Sequence, residues 1–191
     1  NRKSLNLHHG INITDAFMEA VRNDEDFALL SPKSGEVLRK VNARKIWQKI
    51  LELRIQTGEP YLLFTDTVNN AMPAHQRKLG LKVHQSNLCS EITLPTGIDH
   101  NGQDRTAVCC LSSVNAEKFM EWSKDERFLE DIFRFLDNVL EDFIQRAPES
   151  FWRAIYAAFR ECSVGIGVMG FHSFLQARGL PFEGAMAKSW N

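Results

Sequence analysis

An α/β fold is predicted for the 191 residues, on three observations. Several stretches carry apolar residues at helical spacing, short apolar runs of strand length lie between them, and no internal repeat or low-complexity tract interrupts the alternation.

The elements follow in order. In "ITDAFMEAVRND" (13–24), Thr14 or Asp15 can cap a helix in which Ala16, Phe17, Ala20 and Val21 recur on one face. A charged, turn-rich stretch, "NDEDFALLSPKSGE", follows. "NARKIWQKILELRIQTG" (42–58) places Ile46, Trp47, Ile50 and Leu51 on one helical face and stops at Gly58. "YLLFTD" (61–66) has strand length, and "TVNNAMPAHQRKLG" reads as a polar loop. "LKVHQSNLCSEITL" (81–94) alternates and reads as strand, turn, strand, ahead of a turn-rich loop with Asn101-Gly102. "AVCCLSSVN" (107–115) reads as a buried strand. A long amphipathic helix runs from Phe128 to Ile144 and ends before Pro148. Ser150 can cap the next helix, "FWRAIYAAFREC". "SVGIGVMGFHSFLQARGLPFE" reads as a glycine-rich turn and a shorter helix stopped by Gly179 and Pro181. The last residues, "AMAKSWN", read as a polar stretch with no closing element, and both ends of the sequence read as cuts within a longer protein.

Composition excludes several classes. With 23 Lys and Arg against 24 Asp and Glu there is no basic footprint for nucleic acid. No apolar run approaches the roughly 20 residues of a membrane span, and no signal-peptide pattern opens the sequence. Four cysteines, Cys89, Cys109, Cys110 and Cys162, are too few and too irregular for a secreted disulfide framework. A reducing, cytoplasmic setting follows, in which a cysteine among polar neighbours is a candidate for chemistry.

That candidate is Cys89, set between Asn87 and Glu91 in "SNLCSEITLPT" (86–96). At period two the three side chains share one face of a strand, with Leu88 and Ser90 pointing away. With a tight turn they converge around its tip instead. Glu91 has the chemistry of a general base, and Asn87 can both donate and accept. The plainer reading is a buried cysteine acting as a small hydrophobe. A thiol nucleophile is a further alternative, which requires a histidine base near the sulfur; His84 is nearest in sequence. Cys109 and Cys110 sit in an apolar run, point to opposite faces if it is a strand, and have no metal-ligand spacing around them. "GIGVMG" (165–170) matches a dinucleotide fingerprint by letters, but a helix precedes it where a strand is needed. Its glycines read better as a close backbone approach before a helix. His8 and His9 read as structural or surface residues.

Taken together, "SNLCSEITLPT", "TAVCCLSSVN" and "VGIGVMGF" resemble, in order and spacing, the catalytic large subunit of ribonucleoside-diphosphate reductase. "LNLHHGINITDAFMEAV" and "IWQKILELRIQTGEPYLLFTDTVNNAMP" resemble the stretches that precede the active-site loop in that family. The resemblance covers nearly all of residues 1–191. It implies a partial catalytic barrel domain, part of a ten-stranded α/β barrel, with residues 81–115 as finger loop and redox-cysteine strand.

By the same resemblance, Cys89 becomes a thiyl radical that takes the 3′ hydrogen of a ribonucleotide, Glu91 takes the 3′-hydroxyl proton, and Asn87 holds the ribose. Asn87, Leu88, Cys89, Ser90 and Glu91 border the substrate. Cys109 matches one of the two cysteines that supply electrons; its partner lies outside residues 1–191. Cys110 is a packed bystander and Cys162 structural. The radical comes from a metal-containing small subunit (class I, the closer match in the flanking sequence) or from adenosylcobalamin (class II), with no metal or cofactor site in this segment. Further implied partners are nucleotide effectors, including ATP, thioredoxin or glutaredoxin, and a second large subunit. A segment of a barrel is expected to be inactive alone and, with unpaired strand edges, poorly soluble. A half-protein with no chemistry of its own is the remaining alternative.

Overall fold

The computed structural model describes residues 7–191 and divides into two compact units, Asn1–Arg105 and Thr106–Asn191. Each carries one pair of parallel strands joined by a long helical connection.

In the first unit, strand β1 (Gly10–Ile13) pairs in parallel with β4 (Tyr61–Phe64), with Gly10 opposite Tyr61 and Ile13 opposite Phe64. Parallel neighbours need a long crossover. It begins with α1 (Asp15–Asn23), where Thr14 Oγ1 accepts from Phe17 N at 3.2 Å, so Thr14 is the cap. Strands β2 (Asp26–Leu30) and β3 (Val37–Asn42) then form an antiparallel hairpin where the sequence reads as a charged turn. Phe27 packs edge-on to Phe17 with ring centroids 5.2 Å apart, while the charged residues of β3 face solvent and disguise its pattern. Asn42 caps α2 (Ala43–Thr57) through Lys45 N, and Gly58 closes it in the left-handed conformation at φ 76°. Ile13, Phe17, Ala20, Val21 and Ala43 form the buried core, with Ile46, Trp47 and Leu62 against it.

After β4 come α3 (Thr65–Ala71) and α4 (Ala74–Lys78), in place of the polar loop. Their polar surfaces hide two buried anchors: Met72, and Thr65, whose hydroxyl donates to Ile13 O at 3.2 Å. Residues 79–96 form no strand, and the short pair β5 (Gly97–Ile98) and β6 (Asp104–Arg105) closes the unit. A buried ion pair, Arg105 Nε to Asp99 Oδ2 at 2.9 Å, ties that hairpin.

In the second unit, β7 (Leu111–Asn115) pairs in parallel with β8 (Gly165–Met169). Between them run α5 (Phe119–Trp122), α6 (Phe128–Arg146) and α7 (Trp152–Glu161). The core joins Leu136 and Leu140 of α6, each 3% exposed, to Cys110 and Ala158. Burying two leucines contributes roughly 2 kcal/mol each. Ser150 does not cap α7; it lies in a 3₁₀ turn, Glu149–Phe151.

"GIGVM" is β8 itself and not a turn. A Cβ on Gly165 would collide with the Leu111 side chain, and one on Gly167 would sit 2.9 Å from Ser113 Oγ. The glycines allow the backbone to lie close to β7, and Gly170, at φ 72°, leads into α8 (Phe171–Gln176). A final helix, α9 (Ala185–Trp190), replaces the expected polar tail because Ala187 is buried against Phe174 and Leu175. Among the described residues, no helix is long and apolar enough to cross a membrane.

Candidate active-site loop

Residues 79–96 lack a ladder, and side chains take up several of their backbone groups instead. At the root, Val83 is 1% exposed. Its N–H donates to Asn69 Oδ1 and its carbonyl accepts from Asn69 Nδ2, both at 2.9 Å. Asn12 Nδ2 of β1 donates to His84 O at 2.8 Å. The loop closes where Thr96 N donates to Lys82 O at 3.1 Å, beside the buried Pro95.

The tip is a tight turn. Ser90 N donates to Asn87 O at 3.1 Å, and Ser90 holds φ 68°. Ile92 N donates to Asn87 Oδ1 at 3.0 Å, and Ser86 Oγ lies 2.8 Å from Ile92 O. The strand-face arrangement predicted from period two therefore does not occur; Asn87, Cys89 and Glu91 are placed around a turn. Asn87 spends its acceptor on that turn, which leaves its amide N–H groups for a ligand. Cys89 is a free, exposed thiol and not a core hydrophobe. Glu91 is exposed and its carboxylate makes no bond among the described residues. His84, the histidine nearest the sulfur in sequence, has its Nδ1 3.4 Å from Thr96 Oγ1 and its ring against Gly97.

A cavity of about 290 Å³ lies against this turn. Asn87, Leu88 and Ser90 line it from the loop, and Gly10, Ile11 and Tyr61 from the parallel pair. Cys89 and Glu91 are not among its lining residues. The volume is near the lower end of small-molecule sites, roughly 300–1,000 Å³.

Residues 1–191 match the family described as ribonucleotide reductase, barrel domain. The chain belongs to this family. It is 50% identical over 187 residues to the putative ribonucleoside-diphosphate reductase large subunit of Frog virus 3, covering 96% of this chain and 32% of that protein. It is 28% identical over 216 residues to the large subunit of Trypanosoma brucei brucei, covering 100% of this chain and 24% of that one. Among solved structures it is similar to the Actinobacillus ureae class Id ribonucleotide reductase alpha subunit, with a TM-score of 0.75 and 34% identity, over 94% of this chain and 31% of that chain. The chain thus spans about a third or less of these relatives.

Its fold is the α/β fold of the ribonucleotide reductase barrel domain, seen here as two parallel strand pairs and two antiparallel ones rather than a closed barrel. In this ribonucleotide reductase chain the second motif divides its two cysteines sharply. They precede β7 instead of alternating within it. Cys109 is exposed, whereas Cys110 is 8% exposed and its Sγ lies 3.3 Å from Leu136 O. Burial, with the neighbouring Cys109 and Asp137, pushes the Cys110 thiol above its usual range. Cys162 is an exposed residue in the left-handed conformation that ends α7. No group of three or more His, Cys, Asp and Glu placed to hold a metal occurs among the described residues.

Sequence reading misses three residues that the structure makes prominent. Asn12 and Asn69 hold the loop, and Glu59 is a buried carboxylate bonded to His8. The β1–β4 register, extended two residues, places 8 opposite 59, so this pair becomes legible only once the strands are paired.

Proposed function

We propose that this chain supplies the radical cysteine and one redox cysteine of a ribonucleotide reductase large subunit, which converts ribonucleotides, as diphosphates, to 2′-deoxyribonucleotides. The observation that carries the reading is the turn at Asn87–Glu91. It presents a free thiol between an amide donor and an unpaired carboxylate, on a turn whose Asn87, Leu88 and Ser90 line a cavity, in a chain of the barrel-domain family.

The Cys89 sulfur, with its S–H hydrogen removed, takes the 3′ hydrogen of the ribose. Sulfur suits this step because S–H and activated ribose C–H bonds have similar strengths, so the transfer can be reversed. Glu91 accepts the 3′-hydroxyl proton, and the 2′-hydroxyl takes up a proton and leaves as water. Asn87 donates to the ribose hydroxyls. Two electrons and a proton then reduce the 2′ carbon; Cys109 and a second thiol outside this chain end as a disulfide. Cys89 returns the hydrogen to the 3′ carbon, and Glu91 returns its proton to the 3′ oxygen. Thioredoxin or glutaredoxin reduces the disulfide. A metal-containing small subunit supplies the unpaired electron in the favoured form, which the similarity to a class Id alpha subunit supports. Nucleotide effectors and a second large subunit complete the assembly, which is placed in the cytoplasm.

Turnover of the complete large subunit with its radical source tests this. Cys89→Ser should lower it more than about 10³-fold, roughly 4 kcal/mol at the barrier, because an alkoxyl radical is much harder to form. Cys109→Ser should stop deoxynucleotide formation while still consuming the 3′ C–H bond. Identical behaviour of both variants at the first step contradicts the assignment.

A further inference from the structure

Glu91 is exposed, and its carboxylate makes no bond among the described residues. A general base works only within hydrogen-bond reach of the proton it takes, roughly 2.6–3.2 Å between heavy atoms. With no side-chain partner, its placement comes from the backbone on either side. Before it, Ser90 N donates to Asn87 O at 3.1 Å and fixes the turn. After it comes Ile92, and side chains from the opposite arm of the loop take both of its peptide groups. Ile92 N donates to Asn87 Oδ1 at 3.0 Å, and Ser86 Oγ lies 2.8 Å from Ile92 O.

The one hydroxyl proton of Ser86 has a second acceptor within reach, for Asn87 Oδ1 is 3.1 Å away. Two facts direct it to Ile92. The Ile92 N–H can only donate, so it already holds the Asn87 oxygen in place. Ile92 O is the nearer acceptor and accepts no other bond among the described residues. Two consecutive side chains ahead of the turn thus clasp one residue behind it, as Asn69 clasps Val83 at the root. Glu91 lies between Ser90 and Ile92, each held across the loop.

We propose that Ser86 is a positioning residue for the reaction: its hydroxyl, by holding the Ile92 carbonyl, keeps the Glu91 carboxylate where it accepts the 3′-hydroxyl proton. Asn87 keeps its own bond to Ile92 N without Ser86, so the loss falls on the chemical step and not on the grip on the ribose. The assignment rests on the functional reading above, and the two fail differently. If the functional reading fails, the wild-type complete subunit with its radical source does not reduce the nucleotide. If only this assignment fails, wild type turns over and Ser86→Ala matches it.

The experiment is steady-state turnover of the complete large subunit with its radical source, for wild type, Ser86→Ala and Ser86→Thr. The substrate is a ribonucleoside diphosphate with hydrogen or deuterium at the 3′ carbon. Ser86→Ala should lower kcat about tenfold, the upper range for one neutral hydrogen bond, with KM unchanged. Its 3′ isotope effect on kcat should be at least that of wild type, because the step Glu91 assists has become slower relative to the others. Ser86→Thr keeps the hydroxyl and should restore most of kcat. Wild-type kcat in Ser86→Ala, a loss confined to KM, a lower kcat with a diminished isotope effect, or Ser86→Thr as impaired as Ser86→Ala overturns the proposal.

Discussion

Two adjacent cysteines show how far one residue's surroundings decide its chemistry. Cys109 is open to solvent, while Cys110 is enclosed by Leu136, Leu140 and Ala158. A raised thiol pKa means less thiolate at any given pH, so Cys110 should alkylate last among the four thiols. Mass spectrometry after brief iodoacetamide treatment should find Cys89, Cys109 and Cys162 modified and Cys110 modified only on unfolding. The same shift fixes the sign of a stability effect. Because the folded state holds this proton more tightly, stability is intact below the thiol's usual 9.0 and declines as pH rises past it. Denaturation midpoints compared at neutral and alkaline pH should show that decline, and Cys110→Ala should lessen it. At this scale much was legible in the sequence. The alternate amide, thiol and carboxylate stand out as letters, because polar groups flanking a cysteine need no fold to be recognised. His8 and Glu59 are 51 positions apart and only strand pairing joins them.

At the scale of elements, the loop is anchored at a few points by bonds of a different kind from a strand's. Its apolar alternation at Leu81, Val83, Leu88, Ile92 and Leu94 predicts a hairpin. The backbone instead finds partners in Asn69, Asn12 and Asn87, and side-chain bonds of that kind leave no period to read. Asn69 is the test. Asn69→Ala removes both bonds to the buried Val83 backbone and should lower stability by about 2 kcal/mol, measured by urea denaturation of the complete subunit. Turnover should fall with it, because the turn carrying Cys89 loses its root. The helices α1, α2 and α6 were legible from spacing, and Thr14 and Gly58, which act locally, marked the start of α1 and the end of α2. The β2–β3 hairpin was not, because only one of its faces meets the core and charge dominates the other. The glycines of β8 were read for the right reason and placed in the wrong element: close approach needs them, and it occurs along a strand rather than in a turn.

For the whole molecule, each unit repeats one plan, a parallel pair with helices between its strands. A two-stranded parallel pair is a small part of any stable sheet, and its open edges call for further strands. Leu111, Val168 and Met169 are all substantially exposed on β7 and β8. That exposure agrees with relatives of which this chain spans about a third. The sequence could not have shown this from composition, which is ordinary; it emerges from which apolar residues the fold leaves uncovered. Function also belongs to this scale, since the turn holds the thiol while the second redox thiol, the radical source and the effectors are assigned to the complete assembly. The most direct measurement is therefore made on it: turnover of a ribonucleoside diphosphate carrying deuterium at the 3′ carbon. Hydrogen abstraction by Cys89 predicts a primary isotope effect in the wild-type enzyme, and no 3′ C–H cleavage in Cys89→Ser. Equal rates for the labelled and unlabelled substrates, or 3′ cleavage that survives in Cys89→Ser, would contradict the account.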